Sequence, residues 1–136
     1  MLARMFVVRL VRLLAQLLNI RIRDYMNTSS RTRRRIRIRA RLSGTALRPR
    51  ASVFRSLHTV SVQVIDDEAG RTLVALHGKS KKGVTKMEQA KQAGLEVGAM
   101  AKAAGITRIV FDRGGYKYEG RVRAVAEGMR EAGLDF

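Results

Sequence analysis

The alternation of apolar and polar positions sets out an order of elements before any chemistry is considered. From Val60 to Ile65 the chain reads VSVQVI, in which Val60, Val62 and Val64 alternate with Ser61 and Gln63. That two-residue period is a strand with one buried and one polar face. Strand patterns flank it at Ala51 to Arg55 and at Thr72 to Leu76, and Asp66, Asp67, Glu68, Ala69 and Gly70 supply the turn formers of a hairpin-like connection. The period then changes. Thr85 and Glu88 have the spacing of a capping box. Met87, Ala90, Gly94, Val97, Gly98 and Ala101 follow at helical intervals until a stop at Gly105. This stripe reads as core, and its small residues predict close approach to a sheet. Arg108 to Phe111 (RIVF) reads as a short buried strand, which after a helix implies a parallel crossover. A second helix begins near Gly120, turns Val122, Val125, Ala126 and Met129 inward and ends at Gly133. The order β-β-β-α-β-α predicts an α/β fold, a mixed sheet of about four strands with two helices packed on it.

Upstream the pattern breaks down. Residues 1–25 are apolar but interrupted by Arg9 and Arg12, so no run reaches the ~20 residues of a membrane span. On a helical projection the polar positions gather on one side, giving an amphipathic extension. Three readings of it stand open: a transit segment, a surface that lies on a membrane or partner, or an upstream start in front of the natural one at Met26. Residues 26–48 form an arginine-rich arm, and Pro49, the only proline, marks the start of the α/β domain at 49–136.

Charge sharpens this division. The net charge of +17 is concentrated at the front: Met1 to Arg55 holds 15 basic residues against one acid, and the remainder 13 against 10. Every basic residue before Lys79 is arginine, whose planar fork pairs with phosphate and stacks on bases. The balance points to a polyanion, with nucleic acid ahead of a membrane surface. Six arginines occupy the odd positions from Arg31 to Arg41, with Arg34 as a seventh. An extended chain aligns the six on one side, and a helix scatters them. In either form the arm has too little apolar material to stay ordered without a partner.

The absence of cysteine excludes disulfides, thiolate metal sites and cysteine nucleophiles. His58 and His77 lack metal-ligand spacing. The basic loop GKSKKG, Gly78 to Gly83, does not match a phosphate-binding loop and reads as a connection able to touch a polyanion. The stretch VFDRGGYKYEGRV, Val110 to Val122, places two glycines, two tyrosines and basic residues between a strand and a helix start. Paired glycines allow close backbone approach, and Tyr116 and Tyr118 suit stacking on unpaired bases.

LSGTALRPRASVFRS (Leu42 to Ser56), QVIDDEAGRTL (Gln63 to Leu73), VFDRGGYKYEGRV and the terminal EAGLDF (Glu131 to Phe136) together resemble the bacterial type of large ribosomal subunit protein eighteen, a 5S rRNA-binding family. The resemblance covers about Arg31 to Phe136. It implies an α/β domain packed on 5S rRNA in the central protuberance, a basic arm that reaches into RNA and helps link 5S rRNA to large-subunit rRNA, and neighbouring large-subunit ribosomal proteins as further partners. It also implies a cytoplasmic ribosomal location, or an organellar one if residues 1–25 are a transit segment. Carried onto this chain, the contact candidates begin with the arm residues Arg31, Arg33, Arg34, Arg35, Arg37, Arg39 and Arg41. They continue through Arg48, Arg50, Phe54, Arg55, Ser56, His58 and Gln63. The loop adds Arg113, Gly114, Gly115, Tyr116, Tyr118 and Arg121. No cofactor, metal or small-molecule substrate is expected. The chain departs from the family pattern at His58, at Ser61 where an aromatic is common, and at Glu119 where a histidine is usual. Two alternatives remain: a generic basic nucleic-acid or membrane-surface binder, and a nuclease using Asp66, Asp67, Asp112 and Glu119 as a two-metal carboxylate cluster.

Overall fold

The structure is a computed structural model that describes residues 29–136. The amphipathic extension expected over residues 1–25 lies outside the described residues. Helix α1 (Ser30–Arg39) is followed by β1 (Arg50–Arg55), β2 (Val60–Asp66), β3 (Arg71–His77), α2 (Lys86–Ala103), β4 (Val110–Asp112) and α3 (Arg121–Glu131). By its contacts the chain divides into Met1–Arg33 and Arg34–Phe136. The boundary falls inside α1, and the sheet, α2 and α3 all belong to the second unit. No helix among the described residues is long and apolar enough to cross a membrane.

The strands form one sheet in the order β3-β2-β1-β4. β1 pairs antiparallel with β2, Val53 opposite Val62, and β2 antiparallel with β3. β4 joins parallel to β1, with Ala51 opposite Phe111, as the crossover requires. The valine alternation of β2 behaves as expected: Val60, Val62 and Val64 enter the core with Ala51, Val53 and Val74. Ser61 and Gln63 lie on the opposite face, where Ser61 stands between Phe54 and His77 in register.

The fourth strand is shifted. Arg108 is not part of it but forms a parallel bridge with Asp135, and the Ile109 amide donates to the Asp135 carbonyl at 3.2 Å. A pairing with the chain end is a long-range contact that a local apolar run does not encode.

Both helices have the ends that were predicted. In the capping box at α2 the Glu88 amide donates to Thr85 Oγ1 and the Thr85 amide to Glu88 Oε2. Each helix closes in a left-handed glycine, Gly105 after α2 and Gly133 after α3. The amides of Ile106 and Leu134 reach back to the carbonyls of Ala101 and Met129, and both side chains bury. This Schellman geometry turns the chain sharply into the next segment.

Two expectations for α2 are corrected. Met87 is 49% exposed, because it lies in the first turn beyond the edge of the sheet's cover. The glycine stripe faces α3 and not the sheet. A Cβ on Gly94 would lie 2.3 Å from the Val125 carbonyl oxygen, and one on Gly98 2.4 Å from Ala132 Cβ. On the other helix, a Cβ on Gly128 would meet the Lys91 carbonyl oxygen at 2.4 Å. The small residues let the two helices touch backbone to backbone, while Val97, Val122, Val125 and Met129 fill the layer over the sheet.

Candidate nucleic-acid interface

The arginine-rich arm takes the helical form. Ser29 caps it, accepting from the Thr32 amide at 3.3 Å, and six arginines in ten residues are distributed around α1 with no acid in the first turn. Such a helix repels itself, and none of its residues is buried. Its last turns nevertheless attach to the protein's own loop: Arg34 Nε donates to the Gly115 carbonyl at 2.9 Å, and Arg39 Nε lies 3.6 Å from Asp112 Oδ2. These two contacts tie this end of the arm helix to the glycine loop and the end of β4. Arg37 and Arg41 are exposed, and so is Arg48, whose Nε donates to the Ile109 carbonyl.

Arg50 is not a surface cation. It is 6% exposed, and its fork binds Asp67 through Nε–Oδ2 at 2.8 Å and Nη2–Oδ1 at 2.9 Å. Its remaining nitrogen Nη1 donates to Asp112 Oδ2 at 2.9 Å. Buried, and with three of its five N–H donors on two carboxylates, Arg50 is placed as an internal junction and not as an exposed RNA contact. The hydrogen bonds from Arg50, helped by one from the Gly44 amide, hold the Asp67 carboxyl at about 2, below its ordinary 3.8. In return, the hydrogen bond it donates to Asp67 raises the pKa of Arg50.

The same network fixes the glycine loop. Asp112 is fully buried and accepts from the Gly114 amide at 2.9 Å as well as from Arg50. Gly114 (φ 64°) and Gly115 (φ 82°) are both left-handed, and a Cβ on Gly114 would lie 2.5 Å from the Val53 carbonyl oxygen. Only glycine passes there, which brings the loop hard against β1. Arg113 is turned inward on this loop, its Nη1 donating to the Tyr116 carbonyl at 2.9 Å.

The two tyrosines separate in role. Tyr116 is 7% exposed, and its hydroxyl both accepts from the Arg55 amide and donates to the Arg55 carbonyl, each at 3.1 Å. It is a prop for β1 rather than a stacking surface, because its ring is covered. Tyr118 is 43% exposed and meets Phe111 edge-on, with Arg130 reaching its hydroxyl at 3.3 Å.

What the prop supports is a pair of cations. The Arg55 guanidinium sits over the Tyr116 ring at 5.1 Å, and Arg121 at the start of α3 donates through Nη1 to the Ser56 carbonyl at 3.0 Å. Burial lowers the pKa of Arg121, and the charge of Arg55 lowers it further. Neither arginine forms an ion pair among the described residues. Ser56 spends its hydroxyl on the Ser56–Thr59 turn, accepting from the Thr59 amide at 3.0 Å, so its part is to shape the turn. That turn projects His58 and an exposed Leu57, while Phe54 and Gln63 are exposed on the strand surfaces beside it.

The carboxylates of the nuclease alternative are occupied elsewhere. Asp66 Oδ1 accepts from the amides of Glu68 and Ala69 in the turn, Asp67 and Asp112 bind Arg50, and Glu119 is exposed. Among the described residues no group of three His, Cys, Asp or Glu side chains converges in a way that could hold a metal. The Arg50 network itself was not visible in the sequence. An aspartate two residues before paired glycines was its one local signal, and the partners lie 17 and 62 residues from Arg50.

A mixed four-stranded sheet backed by two helices, with Arg55 and Arg121 beside the Ser56–Thr59 turn and an arginine-rich helix before the first strand, defines a basic α/β protein. The family described as "Ribosomal L18 of archaea, bacteria, mitoch. and chloroplast" matches residues 25–136, and the chain belongs to it. The chain is 56% identical over 113 residues to the large ribosomal subunit protein uL18 of Herpetosiphon aurantiacus, covering 78% of this chain and 93% of that one. It is 50% identical over 113 residues to uL18 of Ruminiclostridium cellulolyticum, covering 78% and 92%. Against uL18 of Solibacter usitatus it is 49% identical over 118 residues, covering 85% and 99%.

Proposed function

We propose that the protein is a structural, non-catalytic component of the large ribosomal subunit that binds 5S rRNA and helps attach it to large-subunit rRNA in the central protuberance. Family membership supports the large subunit, and the resemblance read from the sequence motifs supports 5S rRNA as the partner. The observation that carries the reading is the Arg55–Arg121 pair. The Arg55 guanidinium lies over the Tyr116 ring and that of Arg121 is held by the Ser56 carbonyl, near enough for the two charges to oppose each other, at an electrostatic cost that an RNA phosphate between them would offset. The body, 49–136, places this pair and Tyr118 against the RNA, and the arm, 26–48, supplies affinity through Arg31, Arg33, Arg35, Arg37 and Arg41. The site of action is the ribosome, alongside neighbouring large-subunit proteins, in the cytoplasm of a bacterial cell.

The test is binding of the full chain to 5S rRNA and to an equally long unrelated structured RNA across a salt series. Preference for 5S rRNA, with log K falling at a slope of about −4 to −5 for roughly six phosphate contacts, is the expected result. Preference that disappears in R55A/R121A assigns it to the pair. Equal binding of the two RNAs by the unaltered chain overturns the reading.

A further inference from the structure

Between the ends of β2 and β3, the Gly78–Gly83 connection and the first turns of α2 lies a groove of about 560 Å³. It falls in the size range of clefts that seat a small ligand. Its cations are Lys79, Lys81 and Lys86, and Arg121 lines it as well, so the groove reaches one member of the Arg55–Arg121 pair. Two acids face the same space, and both have partners: Glu88 accepts from the Thr85 amide in the capping box, and Glu96 accepts from Gln92 Nε2 at 3.3 Å. Positive charge is in excess.

The loop that carries the lysines is built rather than loose. Gly78 donates its amide to the Val60 carbonyl at 2.9 Å, and a Cβ there would lie 2.5 Å from the same oxygen, so the chain leaves β3 pressed against β2. Further along, Gln89 Nε2 donates to the carbonyls of Lys81 and Val84 at 3.0 and 3.1 Å. A solvated lysine run kept for solubility has no use for a buttress from the neighbouring helix. A run that must present several ammonium groups at once does, because pre-paid ordering is not lost on binding.

We propose that the RNA strand meeting Arg55 and Arg121 continues into this groove, where its phosphates meet Lys79, Lys81 and Lys86. The inference rests on the RNA-binding reading above and adds to it a second stretch of backbone held by the body. Gln89 is a positioning residue for that contact. An acidic peptide segment would satisfy the same charges, but continuity with the arginine pair through Arg121 favours one RNA strand spanning both.

The experiment compares the unaltered full chain, K79A/K81A/K86A and the charge-matched K102A/R108A/R123A on 5S rRNA across a salt series, with backbone footprinting of the RNA. The groove variant is expected to show a slope shallower by about 2 to 3, affinity lowered on the order of 10- to 100-fold near physiological salt, and loss of one patch of protected backbone. The charge-matched variant keeps that patch. Q89A removes no charge and is expected to lower affinity several-fold with the slope nearly unchanged. A groove variant that matches the unaltered chain in slope and footprint overturns the inference while leaving the 5S rRNA reading in place. So does one that binds RNA unchanged but loses binding to polyglutamate, which would reassign the groove to a protein segment. If the unaltered chain shows no preference for 5S rRNA, that earlier reading falls, and the slope difference on either RNA still decides the groove.

Discussion

Arg50 and Asp67 meet in a two-pronged ion pair, Nε to Oδ2 at 2.8 Å and Nη2 to Oδ1 at 2.9 Å, with the third guanidinium nitrogen on buried Asp112. One side chain at the start of β1 thereby ties the β2–β3 turn to the end of β4, and through Asp112 it ties both to the glycine loop and to Arg39 of the arm helix.

Breaking this junction is costly because it strands a buried carboxylate. Arg50→Met is expected to lower stability by about 3–5 kcal/mol in urea denaturation, and Arg50→Lys by less, since lysine keeps the charge and loses the fork. Arg37→Ala, at an exposed position of α1, is expected to stay within about 0.5 kcal/mol. A small effect at Arg50 would mean that the network is not what holds the β4 end in place.

The same pair sets an acid limit. Asp67 titrates at about 2 in the folded chain against an ordinary 3.8, so between these values the unfolded chain binds the extra proton. Its contribution is complete above about pH 4 and is lost as pH falls toward 2. Because the carboxylate is partly exposed, solvent screening reduces that contribution to about 1–2 kcal/mol. Urea midpoints measured from pH 5 down to pH 2 should show the decline, and Asp67→Asn should flatten it.

Helix contact between α2 and α3 gives a paired prediction. Gly98→Ala places a methyl 2.4 Å from the Ala132 methyl, and is expected to cost about 1–3 kcal/mol or somewhat more. Adding Ala132→Gly removes the clash. The double variant should be more stable than the sum of the two single losses requires, by about 1 kcal/mol or more in a double-mutant cycle. Simple additivity would show that the helices separate freely and that the glycines are not needed for their approach.

The two tyrosines should divide their effects. Tyr116→Phe removes a hydroxyl that uses both of its hydrogen-bonding directions on Arg55, and is expected to cost about 1–2 kcal/mol of stability. Tyr118→Ala should weaken 5S rRNA binding several-fold, with a loss of stability confined to its edge contact with Phe111 and the hydrogen bond from Arg130. Thermal melts beside RNA titrations of the two variants separate these outcomes, and the reverse assignment would return Tyr116 to the interface.

Local rules account for much of the domain. The two-residue valine period of β2, the Thr85–Glu88 box and the stop signals Gly105 and Gly133 each act within a few residues, so the sequence by itself determined β1 to β3, α2 and α3 with their ends, and the basic front, while it left the form of the arm open and began β4 two residues early. The motifs from Leu42 onward were also enough to point to the ribosomal family. What the linear pattern left open depends on which distant groups meet. Of the arginines, Arg50 is buried between two carboxylates, Arg34 donates to the carbonyl of Gly115, and Arg55 and Arg121 lie near enough to oppose each other's charge. Tyr116 and Tyr118 stand two residues apart in one loop, and only the path of β1 beneath that loop makes one a prop and leaves the other exposed. The glycines of α2 promised a close neighbour, but only the packed structure decided that it was α3. Charge, period and turn chemistry are properties of a segment, whereas burial and pairing are properties of the partner that the fold brings to it.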